Sequence, residues 1–256
     1  MDQHGERPDS GVALRGRFTT AAITRREDFT EDLWRIWLKP AQEFTFKPGQ
    51  YCTIGVQGIE RPYSIVSAPE EEELELFIER IPPPEGHLTP LLYELAPGDE
   101  VTLRPRPKGV FLLRPDARNH LFVATVTGVA PFISMLRHHL LTREGDDGEA
   151  NFHVLEGASY HDELAYDREV LEMQAEHPNI RFVGTVSRPD DERNAGWEGE
   201  TGRVNTIVER YVEETGLSKE DTIVYACGHP QMIEDVKKRL SPAGYRVEEE
   251  RFWKED

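Results

Sequence analysis

Cysteine is nearly absent from this 256-residue chain, which has only Cys52 and Cys227. Two cysteines allow at most one disulfide, so a disulfide-built scaffold is excluded. They also exclude a zinc site with several Cys ligands and an iron–sulfur cluster held by four of them. Cations are scarce as well: 30 Lys and Arg stand against 48 Asp and Glu, a net charge of −18. A surface of that sign repels a phosphate backbone, which argues against DNA or RNA as the main partner. No apolar run approaches the roughly 20 residues of a membrane span, so no membrane partner is expected. The segment from Met1 to Val12 is polar and lacks the apolar core of a signal peptide. We read residues 1–13 as a frayed tail and the protein as cytoplasmic.

What is present suggests two domains. From Leu14 to about Leu113 the apolar segments are short and strand-like: 15–26, 33–38, 51–56, 61–67, 74–80 and 100–104. Gly- and Pro-rich turns separate them, such as Lys47-Pro48-Gly49 and Ala96-Pro97-Gly98-Asp99. That rhythm predicts an antiparallel β-barrel or sandwich with one short helix near 89–94. After Arg114-Pro115-Asp116 strands and helices alternate. Strands are expected at 120–124, 151–156, 180–186 and 222–226, and helices at 132–142, 163–177, 204–214 and 230–240. Such alternation predicts a parallel sheet covered on both faces. The expected division is a β-barrel domain over 14–116 and an α/β nucleotide-binding domain over 117–256.

Four short motifs occur in order: Arg61-Pro62-Tyr63-Ser64, Gly86-His87-Leu88-Thr89, Thr127-Gly128-Val129-Ala130-Pro131, and Tyr225-Ala226-Cys227-Gly228. Arg61 and Tyr63 share one strand face and Ser64 points to the other. Gly86–Thr89 offers backbone N–H groups and a hydroxyl at a helix start, a ready anion site. Thr127–Pro131 lies between a strand and a helix, the setting a phosphate loop requires. Cys227-Gly228 ends a parallel strand, where open α/β sheets bind ligands. Taken one at a time, each has a plainer reading: an ordinary strand, a capped helix, a turn and a small core residue.

In that order and spacing the motifs resemble the ferredoxin–NADP reductase superfamily, over about residues 14–254. The bacterial ferredoxin/flavodoxin–NADP reductase branch is the nearest pattern, through Glu163-Leu164-Ala165-Tyr166 and Glu250-Arg251-Phe252-Trp253. The resemblance implies FAD and NADP(H) as cofactors. It assigns Arg61, Pro62, Tyr63, Ser64, Ile65 and Val66 to FAD, with Gly86, His87, Leu88 and Thr89 around the diphosphate. Phe252 of the returning tail would stack on the flavin face opposite Tyr63, and Trp253 would reach the adenine side of FAD. For NADP it implies Thr127, Gly128, Val129, Ala130, Pro131, Cys227 and Gly228. The 2′-phosphate would fall to Ser187, Arg188 and Arg203. Ser64, Cys227, Glu250 and Phe252 would surround the reacting centre. In two places this chain departs from the pattern: Val126 stands where the family has a glycine, and Ser159 where it has a third cation. NADPH is therefore expected over NADH, by a reduced margin.

The implied activity is hydride transfer between NADPH and flavin, with single electrons passing to or from ferredoxin or flavodoxin, by a monomer. Such carriers are acidic, so docking is expected on a basic patch of the barrel half, from Arg15, Arg17, Arg25, Arg26, Arg104, Arg106 and Lys108. Two alternatives stay open. One is a reductase for an oxygenase, for ferric iron or for free flavin. The other is a flavin-binding regulatory module without turnover. No metal site is expected: the nine His are scattered, and His138-His139 point about 100° apart on a helix.

Overall fold

In the computed structural model the described residues are 18–142 and 150–251. Six antiparallel strands form the first sheet: β1 (Thr19–Asp28), β2 (Leu33–Pro40), β3 (Tyr51–Val56), β4 (Ile59–Ser64), β5 (Leu74–Glu79) and β6 (Glu100–Leu103). Their order is β4-β3-β6-β1-β2-β5, and a bridge between Ile65 and Leu76 joins the two edges into a barrel. Closure explains how so short a set of strands avoids open edges. Ala21, Ile23, Trp34, Ile36, Ile54 and Leu76 fill the interior. The short helix α1 (Thr89–Tyr93) lies beneath, its Leu92 buried in the same core.

The second sheet is parallel: β7 (Asn119–Thr125), β8 (Asn151–Ala158), β9 (Ile180–Val186), β10 (Glu200–Thr201), β11 (Thr222–Gly228) and β12 (Arg246–Arg251). The order is β10-β9-β8-β7-β11-β12. β7 and β11 are near-continuous apolar runs because helices cover both faces. These are α2 (Ala130–Thr142), α3 (Asp167–Glu176), α4 (Val204–Thr215) and α5 (Pro230–Leu240). In α4, Val204, Ile207, Val208 and Val212 are buried along one helical stripe, and Gly216 ends the helix in the left-handed conformation. Pro230 starts α5, and Lys237, Lys238 and Arg239 fall in its last turn, where the helix dipole favours cations. Among the described residues no helix is long and apolar enough to cross a membrane.

Two expectations need correction. The helix foreseen over 163–177 begins only at Asp167. Before it, the Glu163 carboxylate folds back to accept hydrogen bonds from the Ser159 and Tyr160 N–H groups, which builds the short 3-10 turn His161–Glu163 instead. No strand is expected after 222–226, yet the acidic run Glu248-Glu249-Glu250 is part of β12, paired with Tyr225, Ala226 and Cys227 of β11. Lys237 and Arg251 on one side and Arg114 on the other neutralise Glu249 and Glu248.

The two halves share a core. Leu33, Val66 and Phe77 of the barrel pack in one cluster with Phe132, Tyr166 and Tyr225 of the α/β half. Within that contact Glu75 of β5, 2% exposed, meets Arg137 of α2 at 2.6 Å and Arg35 at 3.3 Å, and accepts from the Tyr166 hydroxyl at 2.8 Å. Arg137 also holds Glu169 of α3 at 2.6 Å. A buried charge is tolerable only when paired and hydrogen-bonded, and here both halves of the molecule supply the pairing.

Candidate active site at the crevice between the two sheets

In the parallel sheet the strand order reverses at β7, with β8 on one side and β11 on the other. Ligands bind at such a switch point, beyond the carboxyl ends of the strands. A cavity of about 670 Å³ opens there, lined by Thr125, Val126 and Thr127 after β7 and by Gly228 and His229 after β11. The His229 N–H donates to the Thr125 hydroxyl at 2.8 Å, which ties the two strand ends together across the crevice. Farther along the same cavity stand Ser187, after β9, and Arg203, at the start of α4.

A second cavity, about 530 Å³, lies against the barrel. Arg61, Pro62, Tyr63 and Ser64 line it from β4, and Gly86, His87, Leu88 and Thr89 from the turn into α1. Thr127 and Ala130 close it from the α/β half, and Thr127 and Glu79 line both cavities. The two spaces are therefore contiguous. Two motifs at a time, 25 residues apart in one half and about 100 in the other, come to adjoining walls.

Several residues act differently from what their motifs imply. Ile65 and Val66 are fully buried, and their side chains serve the cores instead of the cavity. The Thr89 hydroxyl is spent inside the fold, accepting from the Ile81 N–H at 2.9 Å and donating to its carbonyl. Gly86 is required because a Cβ there would collide with the Ile81 carbonyl. Gly128 is likewise pressed against the Cys227 carbonyl, so the loop packs closely on β11 only because that position has no Cβ. Val129 and Pro131 are buried beneath that loop. Cys227 is wholly buried in the shared core, and burial raises its thiol well above the ordinary value. A buried thiol of this kind is unreactive, in keeping with a packing role beside the crevice and not a nucleophilic one. Of the three residues expected at the 2′-phosphate, Ser187 and Arg203 line the cavity. Arg188 does not: its guanidinium donates to the Tyr160 hydroxyl at 2.6 Å. Phe252 and Trp253, and Arg15 and Arg17, lie outside the described residues.

Val126 adopts φ = 44°, a conformation natural to glycine and strained for a β-branched residue. The loop thus keeps the backbone that a glycine would give. Alanine at this position would keep the strain and lose the packing of the isopropyl group, whereas glycine would relieve it. We expect Val126→Gly to be more stable than Val126→Ala by about 1 kcal/mol in chemical denaturation, the reverse of the usual order. An Ala variant as stable as the Gly variant would contradict strain at this site.

β12 brings Glu250 to the barrel: the Ser64 hydroxyl donates to its carboxylate at 3.4 Å. Burial pushes the Glu250 carboxyl up to about 7, against the downward pull of that hydrogen bond. A carboxyl poised near neutral pH beside a cavity can hold or release a proton there. The sequence pattern marked Ser64 and Glu250, but not Glu79 or the Glu75 cluster. One signal was available: Leu74-Glu75-Leu76-Phe77-Ile78-Glu79 sets two acids into an apolar strand.

A family model described as an oxidoreductase NAD-binding domain matches residues 122–238. The flavodoxin/ferredoxin–NADP reductase of Shigella flexneri is 29% identical over 231 residues, covering 86% of this chain and 88% of that protein. The reductase component of propane 2-monooxygenase from Mycolicibacterium goodii is 31% identical over 219 residues, covering 81% of this chain and 59% of the relative. Among solved structures, a ferredoxin NADP+ reductase from Neisseria gonorrhoeae with bound FAD and NADP shares the fold. Its TM-score is 0.79 at 23% identity, over 93% of this chain and 99% of that one. The matched family model, the similarity along most of both chains and the shared two-sheet fold agree, and the chain belongs to the ferredoxin–NADP reductase family of flavin- and pyridine-nucleotide-binding oxidoreductases.

Proposed function

We propose that the protein passes hydride between NADPH and FAD and exchanges single electrons with a small acidic carrier of the ferredoxin or flavodoxin kind. Residues 14–116 form the FAD half in this reading and residues 117–256 the NADP half. The observation that carries it is the contiguity of the two cavities at Thr127 and Glu79, with the Ser64–Glu250 pair beside them.

The lining fits a flavin. Tyr63 offers a flat aromatic surface, Arg61 an exposed cation with the fork geometry that suits phosphate, and Ser64 a hydroxyl at the inner end. Bound FAD would supply the chemistry of accepting a hydride and handing on electrons one at a time. The protein's own part is to align two ligands, keep water from the contact and manage one proton. Ser64 and Glu250 are suited to the last of these. Gly228 and the Thr125–Thr127 loop would hold the nucleotide beside α2.

Ser187 and Arg203 support a preference for NADPH, because in this reading they meet the adenosine ribose, where NADPH carries a 2′-phosphate and NADH a neutral hydroxyl. Replacing Arg203 by alanine is expected to weaken NADPH binding about ten- to a hundredfold, the loss of a charged hydrogen bond, with NADH nearly unchanged. Equal losses for both nucleotides would count against Arg203 as the discriminating cation.

Carrier docking is best supported on the segment after β6. Arg106 and Lys108 are exposed there, beside Val110, which is 87% exposed. The other expected cations among the described residues are engaged within the fold. Arg104 pairs with Glu60, Arg26 with Asp28, and Arg25 lies over the Trp37 ring. A reductase serving a separate oxygenase is the second reading, favoured by the similarity to the propane monooxygenase component. Stopped-flow absorbance of the flavin after anaerobic addition of NADPH or NADH tests the central claim. Bleaching by NADPH faster than by NADH is expected, and no bleaching by either would overturn it.

A further inference from the structure

Glu79 is the last residue of β5. Among the described residues it alone lines both cavities and also a third, an interdomain cleft of about 560 Å³. That cleft is acidic. Glu31 and Asp32 face it from the turn between β1 and β2, and Asp162 and Glu163 from the turn before α3. Its one cation, Arg193, is committed to Asp162 at 2.7 Å. The other walls that Glu79 shares with the nucleotide cavity are uncharged: Val126, Thr127 and Ser159.

The nucleotide cavity is thus polarised. Arg203 and Ser187 stand along one stretch, and Glu79 stands where it meets the barrel. An anion is repelled at Glu79, while a cation or a hydrogen-bond donor is attracted. On the function proposed above, the phosphates of the dinucleotide go to the Arg203 stretch, and its nicotinamide end goes to the junction with the flavin cavity. That end is cationic when oxidised and neutral when reduced. We propose that Glu79 is a specificity-determining residue that binds the oxidised, cationic nicotinamide ring in preference to the reduced one.

This would set how firmly the oxidised nucleotide is retained, and so the balance between the two directions of hydride transfer. Burial first, then the nearby Glu163 and Asp32 carboxylates, lift Glu79 above the ordinary carboxylate range. A cationic ring set against it would act in the opposite direction and favour the charged carboxylate.

Calorimetric titration of the FAD-loaded protein tests the assignment without turnover. The two probes are NADP+ and 1,4,5,6-tetrahydro-NADP, a redox-inert analogue with an uncharged ring and the same phosphates. In Glu79→Gln the affinity for NADP+ is expected to fall about tenfold and that for the analogue to change by less than about twofold. Glu79→Asp, which keeps the charge, is expected to retain the direction of the preference, and it carries the test if the Gln variant does not hold flavin. Equal changes for both probes, or none, would overturn the role of Glu79 while leaving the proposed function intact. A native protein that holds FAD but binds neither probe would overturn both.

Discussion

Replacing Glu75 with alanine is expected to lower the unfolding free energy by about 2–4 kcal/mol, because it takes the most buried partner from two half-buried cations and from a buried phenol. Arg137 and Arg35 point at Glu75 from opposite sides, with side chains only 15% and 19% exposed. The Tyr166 hydroxyl donates to the same carboxylate, and burial together with Glu75 holds that phenol well above its ordinary value. Without the carboxylate, Arg137 and Arg35 keep their desolvation cost and only more exposed partners such as Glu169 and Glu27, and the Tyr166 hydroxyl loses its acceptor. The damage would not stay within one half, since Arg35 and Glu75 belong to the barrel and Arg137 and Tyr166 to the α/β half. Denaturant unfolding of the flavin-loaded protein measures the cost, and flavin retention reports whether the halves still meet. A loss below 1 kcal/mol would mean that the cluster is solvated and does not join them. Replacing Glu75 by leucine together with Arg137 by methionine is expected to recover much of the stability, because an apolar pair of similar volume avoids the desolvation penalty.

The largest effect on turnover is expected at Glu250. If Glu250 with Ser64 manages the proton at the cavity, Glu250→Gln should slow flavin reduction by NADPH about a hundredfold while leaving FAD bound. The pH profile provides a sharper test. Burial raises the carboxyl from about 4.5 to about 7. The native rate should therefore bend near pH 7, and the Gln variant should lose that bend. Stability must move the opposite way from an ordinary salt-bridged carboxylate. With the folded value above the unfolded one, the native state binds the proton more tightly. Glu250 therefore costs nothing below about pH 4.5, and stability is lost as pH rises toward 7. Above pH 7 the Gln variant is expected to be the more stable protein, by about 2 kcal/mol. A native rate flat across pH 6–8, with the two proteins equally stable at pH 8, would remove Glu250 from the mechanism.

Local chemistry explains which parts of this molecule could be read early. Strands β3 and β9 and helix α5 fall where alternation, Gly/Pro punctuation and helical stripes put them, because each of those signals acts within a few residues. The helix before Glu176 started late because a side-chain contact from Glu163 to Ser159 and Tyr160 outcompeted the helical pattern. β12 was hidden because three consecutive acids look solvated until Lys237, Arg251 and Arg114 are brought beside them. Arg188 carries the expected residue type at the expected place in the chain. Only the fold reveals that Tyr160 takes up its guanidinium.

By itself the sequence determined the class of the protein: a barrel followed by a parallel sheet, the order of the motifs, and residues suited to a flavin and a phosphorylated nucleotide. The first follows from periodicity and turn punctuation, and the flavin and nucleotide from the resemblance that the ordered motifs carry. What only the tertiary structure decided is how distant segments share one wall. It put Ser64 against Glu250, 186 residues apart, and Glu75 against Arg137 across the two halves. It made Glu79 common to three cavities, buried Cys227 in the shared core and tied the Thr89 hydroxyl to the Ile81 backbone. The physical reason is that burial and charge pairing depend on what surrounds a side chain in space, and no local pattern records those surroundings.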